Sequence, residues 1–234
     1  MPSRKGKRGK LIVLEGVDGS GKATQAERLV ERLRGEGYRV HVEDFPRYES
    51  FFGKLITAYL RGEFGKLKAV DPKFASMLYA YDRAQVRDRI RRALDAGKVV
   101  VANRYTTSNM VHQTVQIRSS RERKQFLAWL EQLEYRELKL PKPHLVVYLA
   151  VSHRVGQKLA TIRRVLTPVK RRRRDIHEED RLHLRRAERH LREVLAKRPN
   201  WRTVECSGKG KMRTRGAIAK DVWTIVEQKV RSLR

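Results

Sequence analysis

Hydrophobic positions along this chain switch repeatedly between two rhythms. Leu11–Glu15 (LIVLE) is an almost continuous apolar run, which predicts a buried strand. From Thr24 to Leu33 the spacing becomes helical, with Ala26, Leu29, Val30 and Leu33 on one face. Tyr38–Phe45 alternates well enough for a second strand, and Pro46 ends it. Phe51–Leu60 reads as a short helix. Asp71-Pro72 is a helix start, with Asp as N-cap and Pro at the first helical position. The spacing carries that helix to about Ala96, with Phe74, Leu78, Tyr81, Ile90 and Leu94 inward, until Gly97 stops it. Lys98–Ala102 is a third strand. Ser119 and Glu122 form a capping box that opens a helix carrying Phe126, Trp129, Leu130 and Leu133. His144–Ala150 is a fourth strand, and Ser152 caps a helix running to about Leu166. A basic loop over Thr167–Arg174 leads to a helix with Leu184, Ala187, Leu191 and Val194 on one face. Trp201–Cys206 is the fifth strand, Ser207–Arg215 a loop and Ala217–Val230 the last helix.

Five alternations of strand and helix predict an α/β fold, a doubly wound five-stranded parallel sheet with helices on both faces. Ligands of such sheets bind beyond the carboxyl ends of the strands. Three of those ends carry polar or phosphate-type residues: Gly16–Lys22, Phe45-Pro46-Arg47 and Asn103-Arg104-Tyr105. The first, GVDGSGK between strand and helix, has the context of a P-loop NTPase-type phosphate-binding loop. Its glycines let the backbone wrap a phosphate chain, its N–H groups and the helix dipole face the anion, and Lys22 adds a mobile charge. The loop pattern ends in a hydroxyl residue that binds Mg²⁺, but here that position is Ala23. Thr24 follows it, about 100° away around the helix.

Composition narrows the picture. The 234 residues suit one domain, read as residues 11–234 behind a solvated basic tail over 1–10. A single cysteine, Cys206, excludes an internal disulfide framework and a cysteine-built metal cluster. No apolar run reaches membrane-span length, and the N-terminus lacks a secretory pattern, so a cytoplasmic location is expected. The net charge of +29 far exceeds what a nucleotide needs. It predicts salt-sensitive attraction to polyanions, or else a host with a basic proteome.

Three further groupings carry candidate chemistry. Tyr79 and Arg83 are four apart on a helix and share a face, as suits a ring stacked on a base with a guanidinium at a polar edge or phosphate, or else a surface cation–π or packing pair. Arg104 is followed by Ser108, Asn109, His112 and Gln113 at helical spacing, as in a hydrogen-bonding wall. No partner stands at metal-site spacing from His112, so no protein metal ligand is assigned. Arg163–Arg174 holds seven basic residues and no acidic one, in the place of a lid over about 163–180.

Taken together these segments resemble the thymidylate kinases. GVDGSGKATQ is similar to that family's phosphate loop; DFPRYES, MLYAYDRAQ and NRYTTSNMVHQ match its nucleotide-site segments in order, and LPKPHLVVYL and DIHEED its fourth strand and lid end. The resemblance covers about Lys10 to Val230. It implies transfer of the ATP γ-phosphoryl to dTMP with Mg²⁺, in dTTP synthesis, by a homodimer. It places Gly16, Asp18, Gly19, Ser20, Gly21, Lys22, Ala23 and Thr24 around ATP. It places Asp18, Phe45, Pro46, Arg47, Tyr79, Arg83, Arg104, Ser108, Asn109, His112 and Gln113 around the acceptor, with Tyr48 an alternative to Arg47 at the phosphate. Lys22, Arg104 and, from the lid, Arg163 are the catalytic set, with Arg171–Arg174 in reserve. Gly19 stands where some members have an arginine, which resembles the type that recruits lid arginines instead. Asn103 replaces the Asp of the family's Asp-Arg-Tyr. With Ala23 this implies Mg²⁺ held mainly by phosphates. Another pyrimidine monophosphate as acceptor, or a catalytically weak nucleotide-binding protein with nucleic-acid affinity, are the alternative readings.

Overall fold

The computed structural model describes residues 7–66, 69–152, 155, 189–191, 198–208 and 210–233. Five parallel strands form its sheet: β1 (Lys10–Glu15), β2 (Val40–Asp44), β3 (Val99–Asn103), β4 (Leu145–Ala150) and β5 (Trp201–Glu205). Their order is β2-β3-β1-β4-β5, so β1 is central and its carboxyl end opens between those of β3 and β4. The helices are α1 (Lys22–Gly35), α2 (Phe51–Leu60), α3 (Pro72–Ala84), α4 (Arg87–Asp95), α5 (Thr106–His112), α6 (Ser120–Glu131) and α7 (Arg215–Val230).

Alternation along the central strand decides which helices cover which face. Ile12 and Leu14 pack with Ala26, Leu29 and Leu33 of α1 and Ile218, Val222 and Val226 of α7. Leu11 and Val13 point the other way, into a core built with Ile90 and Leu94 of α4, Met110 of α5, and Phe126 and Leu130 of α6. All of these side chains are buried, as a doubly covered parallel sheet requires. A smaller cluster, Ile56, Tyr59, Val70, Ala75 and Leu78, welds α2 to α3.

The structure corrects several expectations. The long helix over 71–96 is two helices: α3 ends at Ala84 and α4 begins at Arg87, with Val86 N–H bonded to Arg83 O at 3.1 Å in the corner. Asp71 and Pro72 start α3 as the sequence indicates, with the Asp71 carboxylate accepting from Lys73 N at 2.6 Å. Phe74 and Tyr81 face outward, 41% and 40% exposed. The row that α3 turns inward is Ala75, Ser76, Leu78, Ala80 and Arg83, and Tyr81 instead stacks on Phe52. The α6 pattern continues past Glu131 into a π-helical turn over Gln132–Glu137, which aims Glu134 into the interior. A two-stranded hairpin, β6 (Ser207–Gly208) with β7 (Lys211–Met212), occupies part of the expected loop. Apart from Ser152 and Val155, the helix from Ser152 to Leu166 lies outside the described residues, as do the basic lid and most of the helix after it.

Candidate active site

The carboxyl end of β1 turns directly into the glycine loop. Gly19 and Gly21 hold φ of 80° and 86°, the left-handed region open to glycine, and Gly21 is the N-cap of α1. Gly16 is required by space, since a Cβ there would stand 2.5 Å from Ser20 Oγ and 2.9 Å from Leu149 O. Lys22, 7% exposed, folds back over the loop. Its Nζ donates to Gly16 O at 2.9 Å and Val17 O at 3.0 Å, and lies 3.8 Å from Asp18 Oδ1. Burial and then repulsion from Arg104 pull its amine down to about 8, against the opposing pull of Asp18 and Glu15. Ser20 Oγ is buried without a hydrogen-bond partner. Ala23 and Thr24 follow in the first turn of α1, which contains no acidic residue.

Arg104 reaches the same place from β3. It adopts φ of 63°, uncommon for a side chain with a Cβ, and its N–H bonds Leu14 O at 3.1 Å. That turn points its guanidinium at the loop, where Nη2 donates to Asp18 Oδ1 and Nη1 lies 3.9 Å from Glu15 and 3.3 Å from His112 Nε2. Burial opposes its charge, but Asp18, Glu15, Tyr48 and Tyr79 together hold it above its ordinary value. Lys22, Asp18, Glu15 and Arg104 thus make one compact charged cluster at the carboxyl ends of adjacent strands.

The proposed acceptor residues do not all come together. Ser108 donates to Glu15 at 2.7 Å, beside Thr107 at 2.6 Å. Asn109 is enclosed and donates to Ser76 O and to Glu134 Oε1, both at 3.0 Å. Gln113, 1% exposed, accepts from Gln116 at 2.9 Å. Of the expected wall, His112 alone stands against Arg104. The reason is the α5 turn: Asn109 and Gln113 face the core, while His112 is on the Arg104 side. Phe45 is 4% exposed and tilts against Tyr105, ring centroids 5.8 Å apart, so it forms core beneath the site. The Phe45–Pro46 bond is cis. Arg47 is tied to α3: its N–H donates to Asp82 Oδ2 at 2.9 Å, and Nη2 to Asp82 O at 3.2 Å and Gln85 at 2.5 Å. Tyr48 is the residue of that pair that bears on Arg104. Arg83 is 2% exposed, with Nε and Nη2 donating to Glu134 at 3.0 and 2.7 Å. Burial raises the Glu134 carboxyl, with Arg83 pulling the other way. Arg163 and Arg171–Arg174 lie outside the described residues.

Sequence reasoning passed over Glu15 and Glu134. Glu15 had a legible signal, a lone carboxylate ending an apolar strand. Glu134 had none, since EQLEYRE reads as a solvated charged stretch.

Among the described residues no group of three or more His, Cys, Asp or Glu is disposed to hold a metal ion. What lies beside Ala23 still suits a hard cation bound chiefly by phosphates. Asn103 Oδ1 is a buried acceptor without a partner, and Asn103 Nδ2 donates to the Asp44 carboxylate at 2.8 Å.

Comparison with known proteins agrees with this geometry. The family model for thymidylate kinase matches residues 14–212. Thymidylate kinase of Mycobacterium tuberculosis (strain ATCC 25618 / H37Rv) is 36% identical over 143 residues, 61% of this chain and 66% of that protein. The human thymidylate kinase is 34% identical over 146 residues, 62% and 63% of the two chains. These two alignments span slightly less than two thirds of the relatives' own length. Thymidylate kinase of Synechococcus sp. (strain JA-2-3B'a(2-13)) is 31% identical over 221 residues, 94% and 95% of the two chains. The solved structure of Candida albicans thymidylate kinase shares the fold, with TM-score 0.68 at 23% identity over 95% of this chain and 92% of that one. With the family pattern matched over most of its length and a relative aligned almost end to end, the chain belongs to the thymidylate kinase family.

Proposed function

We propose that this protein transfers the γ-phosphoryl group of ATP to dTMP, giving ADP and dTDP in the supply of dTTP. The observation that carries the reading is the convergence of Lys22 from the β1 loop and Arg104 from the end of β3 on Asp18. Two cations meet at the place where two phosphate chains must be brought together. In the reaction an oxygen of the dTMP phosphate attacks the γ-phosphorus, and the bond from that phosphorus to the β,γ-bridging oxygen breaks. Protein chemistry in such transfers is positioning and charge neutralisation. The loop N–H groups and Lys22 hold the ATP phosphates. Arg104, held by Asp18 without substrate, exchanges that partner for the acceptor phosphate. Tyr48, Tyr79 and His112 border the acceptor side. When bound, Mg²⁺ held mainly by ATP oxygens, beside Ala23 and Asn103, would supply charge neutralisation for the phosphates. Residues 11–234 act as one kinase domain, and Arg163, in the basic segment at about 163–180 outside the described residues, adds charge toward ATP.

ADP release from ATP is to be measured with dTMP, dUMP, dCMP and dGMP in parallel. Selective turnover of dTMP supports the reading. Selective turnover of another monophosphate replaces the substrate, and none with any of them refutes the activity. In this reading the enzyme is cytoplasmic, and no described helix is long and apolar enough to cross a membrane. A homodimer is supported by aromatic surface around α2 and α3, where Phe51, Phe64 and Phe74 are 66%, 41% and 41% exposed.

One observation favours an additional property. The net charge of +29, far above what a nucleotide substrate needs, supports salt-sensitive polyanion binding separate from catalysis. A nucleic-acid gel shift that disappears steeply with salt is expected, and no shift at low salt refutes it.

A further inference from the structure

Two departures from the family pattern leave the cation side of the site short of oxygen: Ala23 has no hydroxyl, and Asn103 has no charge. The neighbouring strand changes this. Asp44, the last residue of β2, stands opposite Asn103, the last residue of β3, in the parallel ladder. Asn103 Nδ2 donates to Asp44 Oδ1 at 2.8 Å, which fixes the orientation of the carboxamide. Its Oδ1 is left buried with no hydrogen-bond partner. Asp44, Asn103 and Ala23 line one groove of about 290 Å³ that runs along α1 as far as Arg34, with Glu27 and Glu43 also on its walls. Glu43 and Glu15 are engaged elsewhere, and Glu27, which also borders the groove, stands on the exposed face of α1. Glu43 is gripped by Arg89 at 2.7 and 2.8 Å and by His41 at 2.7 Å, and Glu15 by two hydroxyls and Gly16 N–H.

We infer that Asp44 and Asn103 together do the work of the missing aspartate, Asp44 supplying the negative charge that balances nucleotide-bound Mg²⁺ and Asn103 Oδ1 accepting from a water of its shell. The inference rests on the kinase reading above. A carboxamide oxygen accepts from water as a carboxylate does but adds no charge. The charge therefore comes from the next strand, roughly 4.8 Å over. Mg²⁺ retains several waters when bound to phosphates, so a carboxylate on the neighbouring strand acts on it through that shell. Asp44 is thus a positioning residue, acting through the ion's hydration shell.

The test uses the full chain and needs no turnover. Calorimetry of ATP binding without acceptor, at increasing Mg²⁺, measures how far the ion tightens the nucleotide. In Asp44→Asn the hydrogen bond to Asn103 can persist while the charge is lost. Roughly tenfold more Mg²⁺ is then expected for the same tightening, with metal-free ATP binding not weakened. Asn103→Asp alone sets two carboxylates within hydrogen-bond distance and is expected to disturb Mg²⁺ dependence as well. The double variant Asp44→Asn/Asn103→Asp returns the charge to β3 and reverses the hydrogen bond, so it is expected to recover wild-type dependence to within about threefold. An unchanged Mg²⁺ dependence in Asp44→Asn overturns the inference, as does a double variant no better than either single one. A wild type whose ATP binding tightens with Mg²⁺ while no monophosphate is phosphorylated overturns the kinase reading alone.

Discussion

Lys22 turns the geometry of the loop into a proton count. Its ammonium donates to two loop carbonyls, yet burial and then the charge of Arg104 bring its pKa down to about 8. Without nucleotide about half of these side chains are neutral at pH 8, against well under one in a hundred for an ordinary lysine. ATP phosphates favour the charged form, so binding at pH 8 is expected to take up about half a proton per site. Between pH 7 and pH 9 the charged fraction falls from about nine tenths to about one tenth, and ATP affinity is expected to fall roughly tenfold with it. Calorimetry of Mg·ATP binding in buffers of different ionisation enthalpy measures the proton directly. Lys22→Arg, charged at every accessible pH, is expected to abolish the uptake. The stability of the nucleotide-free protein follows with a definite sign. The folded pKa lies below the unfolded 10.5, so between pH 8 and 10.5 unfolding takes up a proton. Stability therefore rises with pH across that window, by about 3 kcal/mol relative to a Lys22→Met variant, and below pH 8 the cost of the buried charge is fully present. A binding enthalpy at pH 8 independent of the buffer would refute the reasoning, because Lys22 would then titrate as an exposed lysine.

Other expectations follow from single contacts. Glu134→Gln leaves the enclosed Arg83 guanidinium without its counter-charge and is expected to cost about 3–5 kcal/mol in urea unfolding, whereas Arg83→Met with Glu134→Leu costs less; equal losses would contradict the ion-pair account. Ala23→Thr returns a hydroxyl to the first turn of α1 and is expected to lower the Mg²⁺ needed for half-maximal turnover roughly tenfold, as read from initial rates. Gly16→Ala presses a methyl on Ser20 Oγ and Leu149 O, so ATP binding by calorimetry is expected to fall below detection while the circular dichroism spectrum stays native. Gly53→Ala would set Cβ 1.8 Å from Arg47 O, and a melting temperature equal to wild type would show that the Arg47 backbone is not held there.

Local signals carried far in this chain. The apolar run of Leu11–Glu15, the glycines and the helical spacing after them are short-range properties, and they locate the β1–loop–α1 unit to within two residues. Strand–helix alternation likewise sets the five strands and the parallel sheet, because no short turn joins parallel neighbours. The Asp71 and Ser119 caps appear where the capping chemistry puts them. The break between α3 and α4 was harder to see, since the residues on both sides are good helix formers and the corner comes from packing.

The site divides along the same line. Short-range pattern alone places the residue types at the strand ends: a phosphate-binding loop with Lys22, and Arg104 after β3. It could not say which of these polar groups face one another. Arg83, Asn109 and Gln113 have the same polarity as His112, yet α3 and α5 carry them into the interior, where Arg83 and Asn109 meet Glu134 from the π-turn. The order β2-β3-β1 likewise brings Asp44 to Asn103 across 59 residues of chain. Pairings of that kind are set by strand order and helix rotation, which depend on the whole core packing at once. Only the tertiary structure decides them.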